Sequence, residues 1–415
     1  MTPKRHWSSR TKGWLRILAF CAACVPASIA RAPAGVVRPG IDVLLSDSIH
    51  LVRGKAVGLV SNQAGVDAAG VSDVERLLQA RVRLIALFSA EHGFRGSADP
   101  GAAVPFTTDS ATGLPIYSLY GATRAPTDSM LEGIDVLLVD LPDVGARYFT
   151  YLSTTIDVMR SAARRHLPVL VLDRPNPIGG LVQGNVLDSA FRSYVGPLAM
   201  PMRPGMTLGE LARLAKADLT LATELRVVPV QGWHRSQTLR ETGLPFLRPS
   251  PNLKDPESLF HYAGTCLFEA TALSVGRGTD APYSQIGAPW LDPDRVIAAL
   301  PTKSLPGVRF APVRFTPVAP ADGKYPGVEV RGIRLELTDE RRYDPTRTAV
   351  TLLATIRRLF PDSLGFRAAG FDRLAGGPAI REAVLAGTNP FAIADSWRAA
   401  RAQWLRHRQF ALLYR

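Results

Sequence analysis

The amino-acid sequence predicts an α/β protein, in which a doubly wound parallel sheet is followed by a smaller α+β domain. Short apolar runs alternate with helical patterns between residues 36 and 240, which is typical of βαβ units. Beyond residue 241 the pattern changes to a proline-rich stretch followed by single strands and helices. A chain of 415 residues suits two domains, which we place at 36–240 and 241–415.

Five apolar runs supply the predicted strands of the first domain, at 56–60, 83–87, 134–140, 167–172 and 225–230. Helices are predicted between them, at 74–79, near 127–132, at about 150–165 and at 211–215. Two of these helices begin with the capping boxes Ser72-x-x-Glu75 and Thr207-x-x-Glu210. The segment 97–125 is rich in Gly, Pro, Thr and Ala, and its length indicates a lid or a binding loop.

The second domain has fewer and more separated elements. Strands are predicted at 308–310 and 332–337, and helices near 346–359 and 395–411. In the last helix, the spacing of Trp397, Ala400, Trp404 and Leu405 predicts one apolar stripe that faces the core.

Residues 1–30 have the pattern of a secretory signal peptide. Basic residues lead into the apolar run 17–25, and small residues at Ser28 and Ala30 suit cleavage after Ala30. The run is too short to span a bilayer comfortably. We therefore expect an exported protein, periplasmic or secreted, with no membrane insertion once the signal is removed. The alternative is a lipoprotein attached through Cys24.

The net charge of +13 includes five basic residues of this signal, so the exported chain is less basic than the total indicates. A mild positive balance suits an anionic polymer of the cell envelope, and it equally suits a solvated basic surface. Basic residues do not cluster with aromatic residues, which argues against nucleic acid as a partner. Cys266 is the one cysteine beyond the signal, so no internal disulfide is expected.

Polar clusters follow three predicted strands of the first domain. Because parallel strands point the same way, the loops at their carboxyl ends converge on one edge of the sheet, which predicts a pocket there. The alternative is three separate turns with exposed ion pairs that contribute little. The clusters comprise Glu91, His92 and Arg95, then Asp140, Asp143, Arg147 and Tyr148, and finally Asp173, Arg174 and Asn176.

One segment of the second domain, 264–279, also has the composition of a site. Glu269 lies among small and apolar residues, and Arg277 stands between two glycines on a turn from which it could reach an anionic ligand. The alternative is that Glu269 and Arg277 pair with each other in the core.

The absence of several catalytic motifs limits the reactions that the chain is expected to catalyse. The sequence contains no G-x-S-x-G elbow, no H-E-x-x-H, no paired cysteine ligands and no P-loop, and Cys266 has no histidine nearby in sequence. The carboxylates remain as candidate catalytic groups. A pair of carboxylates can catalyse glycoside hydrolysis without a metal or a cofactor. Two alternatives stay open: a divalent metal held by Asp140, Asp143 and Glu91 acting on phosphate esters, and a protein that binds its ligand without cleaving it.

Eight motifs follow one another in order along the chain: Ser61–Gly65, Ala90–Gly96, Asp143–Tyr151, Asp173–Pro177, Pro249–Asn252, Gly264–Glu269, Ser274–Thr279 and Gly287–Trp290. In this combination the chain resembles the bacterial exo-β-N-acetylmuramidases, from about residue 40 to the C-terminus. The resemblance implies a Rossmann-like domain with an auxiliary domain. It also implies an exo-acting glycosidase that removes terminal β-1,4-linked N-acetylmuramic acid from MurNAc-GlcNAc saccharides of peptidoglycan.

Matched by motif, the resemblance implies that Glu91 is catalytic and that Glu269 is its candidate partner. Seven matched positions are expected around the sugar: His92, Arg95, Asp143, Arg147, Tyr148, Asn176 and Arg277. We add Asp140 and Arg174 from the strand-end clusters. One of Arg95, Arg147 and Arg277 is expected to bind the lactyl carboxylate of MurNAc. The chain departs from the family pattern at Pro204, at Ala270 and over 321–328.

Overall fold

A seven-stranded sheet lies at the centre of the N-terminal half of the protein, whose computed structural model describes residues 36–415. The predicted signal peptide lies outside these residues. Two further strands, β7 and β8, form a separate antiparallel pair. In chain order the strands of this half are β1 Ala56–Val60, β2 Arg83–Ser89, β3 Thr107–Thr108, β4 Pro115–Ser118, β5 Val136–Val139, β6 Val169–Leu172, β7 Gln183–Val186, β8 Pro201–Arg203 and β9 Leu225–Val228.

The strand order is β3-β4-β2-β1-β5-β6-β9, and every neighbouring pair except β3 and β4 is parallel. The six parallel strands alone have the order of a Rossmann fold, with the reversal of direction between β1 and β5. Residues Ala56–Val60 are buried throughout, as expected for a strand covered on both faces. The predicted α/β, Rossmann-like sheet is confirmed.

Four helices accompany this sheet: α1 Gly40–Asp47, α2 Asp73–Gln79, α3 Tyr151–Arg164 and α4 Leu208–Asp218. The Ser72 hydroxyl accepts the N–H of Glu75 at the start of α2, and Thr207 with Glu210 forms a complete capping box at α4. The helix predicted near 127–132 is only a 3₁₀ turn, Ser129–Leu131.

The C-terminal half is an α+β arrangement around a three-stranded antiparallel sheet of order β10-β12-β11. A 3₁₀ helix, Cys266–Ala270, continues directly from α5. The elements are α5 Pro256–Thr265, β10 Gln285–Ala288, α6 Pro293–Ala299, β11 Val308–Phe315, β12 Val330–Leu337, α7 Pro345–Leu359, α8 Ala368–Ala375, α9 Ala379–Leu385, α10 Pro390–Ser396 and α11 Arg398–His407. The described chain forms one compact unit, and the domain boundary near residue 240 stays a prediction.

The helix predicted at 395–411 is broken in the structure. Helix α10 ends at Ser396, α11 begins at Arg398, and a 3₁₀ turn follows. Trp397 and Trp404 are buried as the apolar stripe predicts, but Leu405 is 39% exposed. The buried side runs instead from Trp404 to Arg408, which donates to the carbonyls of Pro204 and Gly205. Including Leu405 in the stripe was wrong because the buried side is narrow: Trp397, Trp404 and Arg408 follow one another at helical spacing, and Leu405 lies about 100° around the helix from Trp404.

The crevice where the sheet reverses direction is filled by the proline-rich stretch. The Tyr151 hydroxyl donates to the carbonyl of Pro249, and the Gln63 amide donates to that of Arg248. Only a cavity of about 70 Å³ remains between this stretch and the ends of β1, β5 and β6. A ligand of ordinary size needs ~300 Å³ or more, so the usual Rossmann ligand position is closed. Among residues 36–415, no helix has the length and apolar character needed to cross a membrane.

Candidate active site

The largest cavity described lies beyond the carboxyl end of β2, where loops of the N-terminal half meet the C-terminal half. This central cavity has a volume of about 810 Å³, which suits a small ligand. Its walls on the first side include Glu91, His92, Tyr120, Tyr148 and Thr150. Its walls on the second side include Cys266, Glu269, Arg277, Tyr283 and Arg373. Neither half therefore encloses the cavity alone.

Glu91 is placed by a tight reversal directly after β2. Gly93 and Gly96 have φ values of +75° and +67°, which glycine adopts without strain. His92 also has a positive φ, +74°, which is uncommon for a residue with a side chain. Its Nδ1 lies 2.8 Å from the carbonyl oxygen of Ala98, and the N–H of Ala98 donates back to the His92 carbonyl. The histidine thus closes the loop that presents Glu91, and burial lowers the pKa of His92.

Both carboxylate oxygens of Glu91 accept hydrogen bonds. The Thr150 hydroxyl donates to Oε2 at 2.6 Å, and the N–H of Gly101 donates to Oε1 at 3.0 Å. Thr150 is the residue immediately before α3, so Glu91 lies near the positive end of that helix. Burial, and then the charge of Glu91, raise the pKa of Tyr120 to about 12. Glu91 is therefore held in one orientation beside a protonated phenol.

Glu269 is held at one oxygen from the opposite side of the cavity. Its Oε1 accepts from Arg277 Nη2 at 2.6 Å and from the Tyr283 hydroxyl at 2.5 Å. Its Oε2 makes no hydrogen bond to residues 36–415, and the side chain is 24% exposed. Arg277 Nη1 is buried and has no hydrogen-bond partner within the same residues. One carboxylate oxygen and one guanidinium nitrogen thus remain for a ligand.

Cations outnumber carboxylates in the wall of the central cavity. Four arginines contribute, two of them from α8 and the turn before it, against the two glutamates. Arg124 lies over the ring of Tyr194, 4.4 Å from its centroid. The arginines are Arg124, Arg277, Arg367 and Arg373. The cavity is therefore suited to a ligand that carries negative charge.

The structure brings together five of the residues singled out from the sequence: Glu91, His92, Tyr148, Glu269 and Arg277 all line the central cavity. The hypothesis that Glu269 and Arg277 pair with each other describes their contact correctly, but the pair borders the cavity instead of the core interior.

The other six candidates have protein partners and do not line the central cavity. Arg147 is fully buried and donates to the carbonyls of Asn185, Met200 and Leu374, each at 2.9 Å. Arg95 makes an exposed ion pair with Asp109 at 2.9 Å.

The remaining four form buried polar contacts below the sheet edge. Asp140 and Arg174 are paired, with Arg174 Nη2 at 2.9 Å from Asp140 Oδ2. Asn176 donates to the carbonyl of Met206 at 2.8 Å. Asp143 accepts the N–H of Gly145 at 2.7 Å, and burial raises the pKa of Asp143 to about 7. These contacts hold backbone and neighbouring side chains in place, and the structure gives them no visible route to a ligand in the central cavity.

The metal hypothesis finds no matching geometry. Within residues 36–415, no three His, Cys, Asp or Glu side chains are grouped so that they could hold a metal ion. Of the proposed set, Asp140 is paired with Arg174, and Asp143 and Glu91 border different cavities.

Several cavity residues were not singled out from the sequence. Thr150 lies inside the motif 143–151, so the resemblance could have identified it as a candidate site residue. Tyr120 and Arg124 belong to the segment 97–125, for which a binding loop was predicted without naming residues. Arg373 has no such signal, because nothing in the sequence shows that α8 faces the end of β2.

Comparisons with known proteins find matches over most of the chain. The N-terminal and C-terminal models of the exo-beta-N-acetylmuramidase NamZ family match residues 57–257 and 260–414. The peptidoglycan beta-N-acetylmuramidase NamZ of Bacillus subtilis is 39% identical over 381 residues, which is 91% of each chain. Two crystal structures of DUF1343 family proteins from Bacteroides fragilis cover 92% of this chain. They have TM-scores of 0.84 and 0.74 at 33% and 28% identity, and 100% and 99% of their own lengths are matched.

Proposed function

The chain belongs to the exo-beta-N-acetylmuramidase NamZ family and is a glycosidase, and from this premise we propose that Glu91 and Glu269 are its paired catalytic carboxylates. The substrate we propose is a peptidoglycan fragment that ends in β-1,4-linked N-acetylmuramic acid. The observation that supports the pair is their position: the two glutamates come from opposite halves and line one cavity. Two carboxylates flanking the scissile bond are what glycoside hydrolysis requires.

We assign the two roles from the partners of each carboxylate. Arg277 donates to Glu269 through Nε and Nη2, and both hydrogen bonds end on Oε1, which within residues 36–415 leaves Oε2 free towards the cavity. Glu269 therefore suits the carboxylate that attacks the anomeric carbon or activates a water. Both oxygens of Glu91 are held, by the Thr150 hydroxyl and the N–H of Gly101, and we assign it the complementary role of protonating the leaving oxygen.

The stereochemical course follows from how the second carboxylate acts. A carboxyl separation near ~5 Å suits direct attack and retention, and one of roughly 6.5–9.5 Å leaves room for a water and gives inversion. Proton NMR of the first-formed MurNAc anomer measures this directly.

The arginines of the central cavity support muramic acid as the sugar bound there. MurNAc carries a lactyl carboxylate that N-acetylglucosamine lacks, and arginine binds carboxylates through two parallel hydrogen bonds. Of the three arginines considered from the sequence, only Arg277 lines the cavity, and its Nη1 has no protein partner among the described residues. Because Nε and Nη2 already donate to Glu269 and Nη2 also donates to Tyr283, we assign to Arg277 one contact, from Nη1 to the lactyl carboxylate.

Release of MurNAc from a MurNAc-GlcNAc disaccharide and from a chromogenic β-muramide tests the function. Glu91→Gln keeps an acceptor for Thr150 but removes the acid, so we expect kcat to fall by ~10²–10⁴. Glu132→Gln changes an exposed glutamate outside the cavity and serves as the matched control. Full activity of Glu91→Gln, or no MurNAc from the unaltered protein, contradicts the proposal.

A further inference from the structure

A second cavity lies directly beside the central one. This adjacent cavity has a volume of about 640 Å³, within the ~300–1,000 Å³ range of ligand pockets. Three short segments line both: 99–100, 250–254 and 277–281 contribute neighbouring residues to each cavity. Arg277 borders the central cavity, for example, while Gly278 and Thr279 border the adjacent one. A ligand longer than one sugar would therefore pass from one cavity into the other across these segments.

The charges of the adjacent cavity nearly balance, since its lining has three cations, Lys254, Arg314 and Arg334, and two carboxylates, Asp99 and Asp280. Lys254 lies 3.7 Å from Asp280 and donates to the carbonyl of Thr279, and Arg314 is paired with Glu329. The central cavity, by contrast, has four arginines against two glutamates. The step in charge between the cavities matches a saccharide whose first sugar is an anion and whose second sugar is neutral.

The uncharged groups of the adjacent cavity are of the kind that bind sugars. Asn252 and Thr316 supply an amide and a hydroxyl group, whereas the Gln285 amide donates to the Thr279 hydroxyl. Phe315 is half-buried and contributes an aromatic surface, against which the apolar face of a pyranose can pack. One charged side chain lies beside these groups: Arg334 donates from Nη2 to Gln285, and its buried Nε has no hydrogen-bond partner among residues 36–415.

We propose that the adjacent cavity binds the neutral N-acetylhexosamine on the leaving side of the scissile bond. The inference rests on the proposed function, because it takes the central cavity to hold the muramic acid. It adds a source of specificity: a substrate with a sugar leaving group gains contacts that a small synthetic leaving group does not.

The test compares two substrates in variants of the adjacent cavity. Thr316→Trp fills part of the cavity from an exposed position after β11, and Phe315→Ala removes the aromatic surface. For each variant we expect kcat/KM on MurNAc-GlcNAc to fall about tenfold while kcat/KM on 4-nitrophenyl β-MurNAc stays within about twofold. Thr338→Trp, at the opposite end of the same antiparallel sheet, is the matched control and should change neither.

Equal losses on both substrates, or none on either, overturn the inference. It is also overturned if Thr316→Trp impairs only saccharides that carry stem peptides, since the cavity would then hold the peptide. Phe315→Ala decides the matter if Thr316→Trp fails to fold, as judged by its thermal melting. Absence of MurNAc release from both substrates by the unaltered protein counts against the proposed function itself, so the two failures are distinguishable.

Discussion

Among single residues, Arg277 connects the proposed catalytic Glu269 with the proposed binding of the substrate carboxylate. Its Nε and Nη2 donate to Glu269, Nη2 also donates to the Tyr283 hydroxyl, and Nη1 is left without a partner among the described residues. A guanidinium has five donors in a fixed plane and can hold a carboxylate of the protein and one of a ligand together. A lysine ammonium at this position would lack that geometry, so the substitution is not conservative here.

Asp143 gives the clearest expectation for stability. Burial raises its pKa to about 7, so between about pH 4 and 7 the folded protein binds a proton that the unfolded chain releases. Its contribution to stability is therefore complete at low pH and is lost as pH rises through 7. Asp143→Asn keeps an acceptor for the Gly145 N–H and cannot ionise. At pH 8 we expect the variant to exceed the unaltered protein in unfolding free energy by ~1–3 kcal/mol.

Urea unfolding at pH 5 and pH 8 measures this difference. Asp362→Asn, at an exposed position, is the control and should show no change between the two pH values. If the Asp143→Asn difference is the same at both pH values, the linkage to Asp143 is wrong.

The sequence predicted that polar residues cluster at the strand ends, but it did not predict which of them line the cavity and which bind other parts of the protein. Glu91 and His92 line the cavity, whereas Arg147 and Asn176 bind carbonyl groups of the backbone. One partner of Arg147, Leu374, is 227 residues away in sequence. A guanidinium after a strand has the same sequence signature whether it binds a ligand or distant backbone, so only the tertiary structure separates the two.

At the scale of elements, Lys324 connects the segment between β11 and β12 to the 3₁₀ helix Cys266–Ala270. It lies in the connection between β11 and β12, and its Nζ donates to the carbonyls of Phe268, Glu269 and Leu273 at 3.1, 3.0 and 2.6 Å. Carbonyl groups at the end of a helix have no partner within the helix, and here an ammonium satisfies them. The segment 321–328, where the chain departs from the family pattern, thus anchors the 3₁₀ helix that bears Glu269.

We expect Lys324→Met to lower kcat about tenfold or more with little change in KM, because Glu269 loses its fixed position. Burial lowers the pKa of Lys324 to about 8, although Asp322 and Glu269 oppose this and Arg367 and Arg277 reinforce it. Above pH 8 the amine has one donor fewer, so kcat should decline there.

The pH profile of kcat separates positioning from simple loss of structure. In Lys324→Arg the side chain stays charged, so the alkaline decline should move to higher pH. Lys303→Met, in the exposed turn Thr302–Ser304, is the matched control. An unchanged alkaline limb in Lys324→Arg would show that Lys324 does not set it.

Elements with strong periodic patterns were predicted from the sequence, and short or polar ones were not. The runs at 56–60 and 134–140 contain the strands Ala56–Val60 and Val136–Val139, whose apolar residues are buried throughout. Strands β3 and β4 have two and four residues within a polar segment, so their pattern is too short to recognise. The break at Trp397 is set by packing of α10 and α11, which has no local signal.

For the whole molecule, the placement of the cavity explains why its site was only half predicted. Convergence of strand ends correctly indicates one edge of the sheet, but the usual crevice at that edge is filled by 245–249. The site lies instead beyond β2, where the C-terminal half completes it. The cavity forms only where residues more than a hundred positions apart in sequence come together. Local sequence patterns cannot predict such contacts.

The predicted export of the whole molecule has a direct test. Cleavage after Ala30 leaves a chain whose first residue is Arg31, so N-terminal sequencing of protein from the periplasm or medium should begin there. A lipidated N-terminus at Cys24 would instead block sequencing and support the lipoprotein alternative. Recovery of uncleaved chain from the cytoplasm alone would contradict export.

Because both halves of the chain line the central cavity, the cavity also constrains how the gene can recombine during evolution. Glu91 and Glu269 line one cavity but lie in segments matched by different family models, 57–257 and 260–414. Recombination between relatives near residue 258 would exchange one wall and keep the other. The main hydrophobic core includes residues of both halves, so a recombinant would mix the packing of that core as well as the walls of the cavity. The two halves of the gene should therefore descend together.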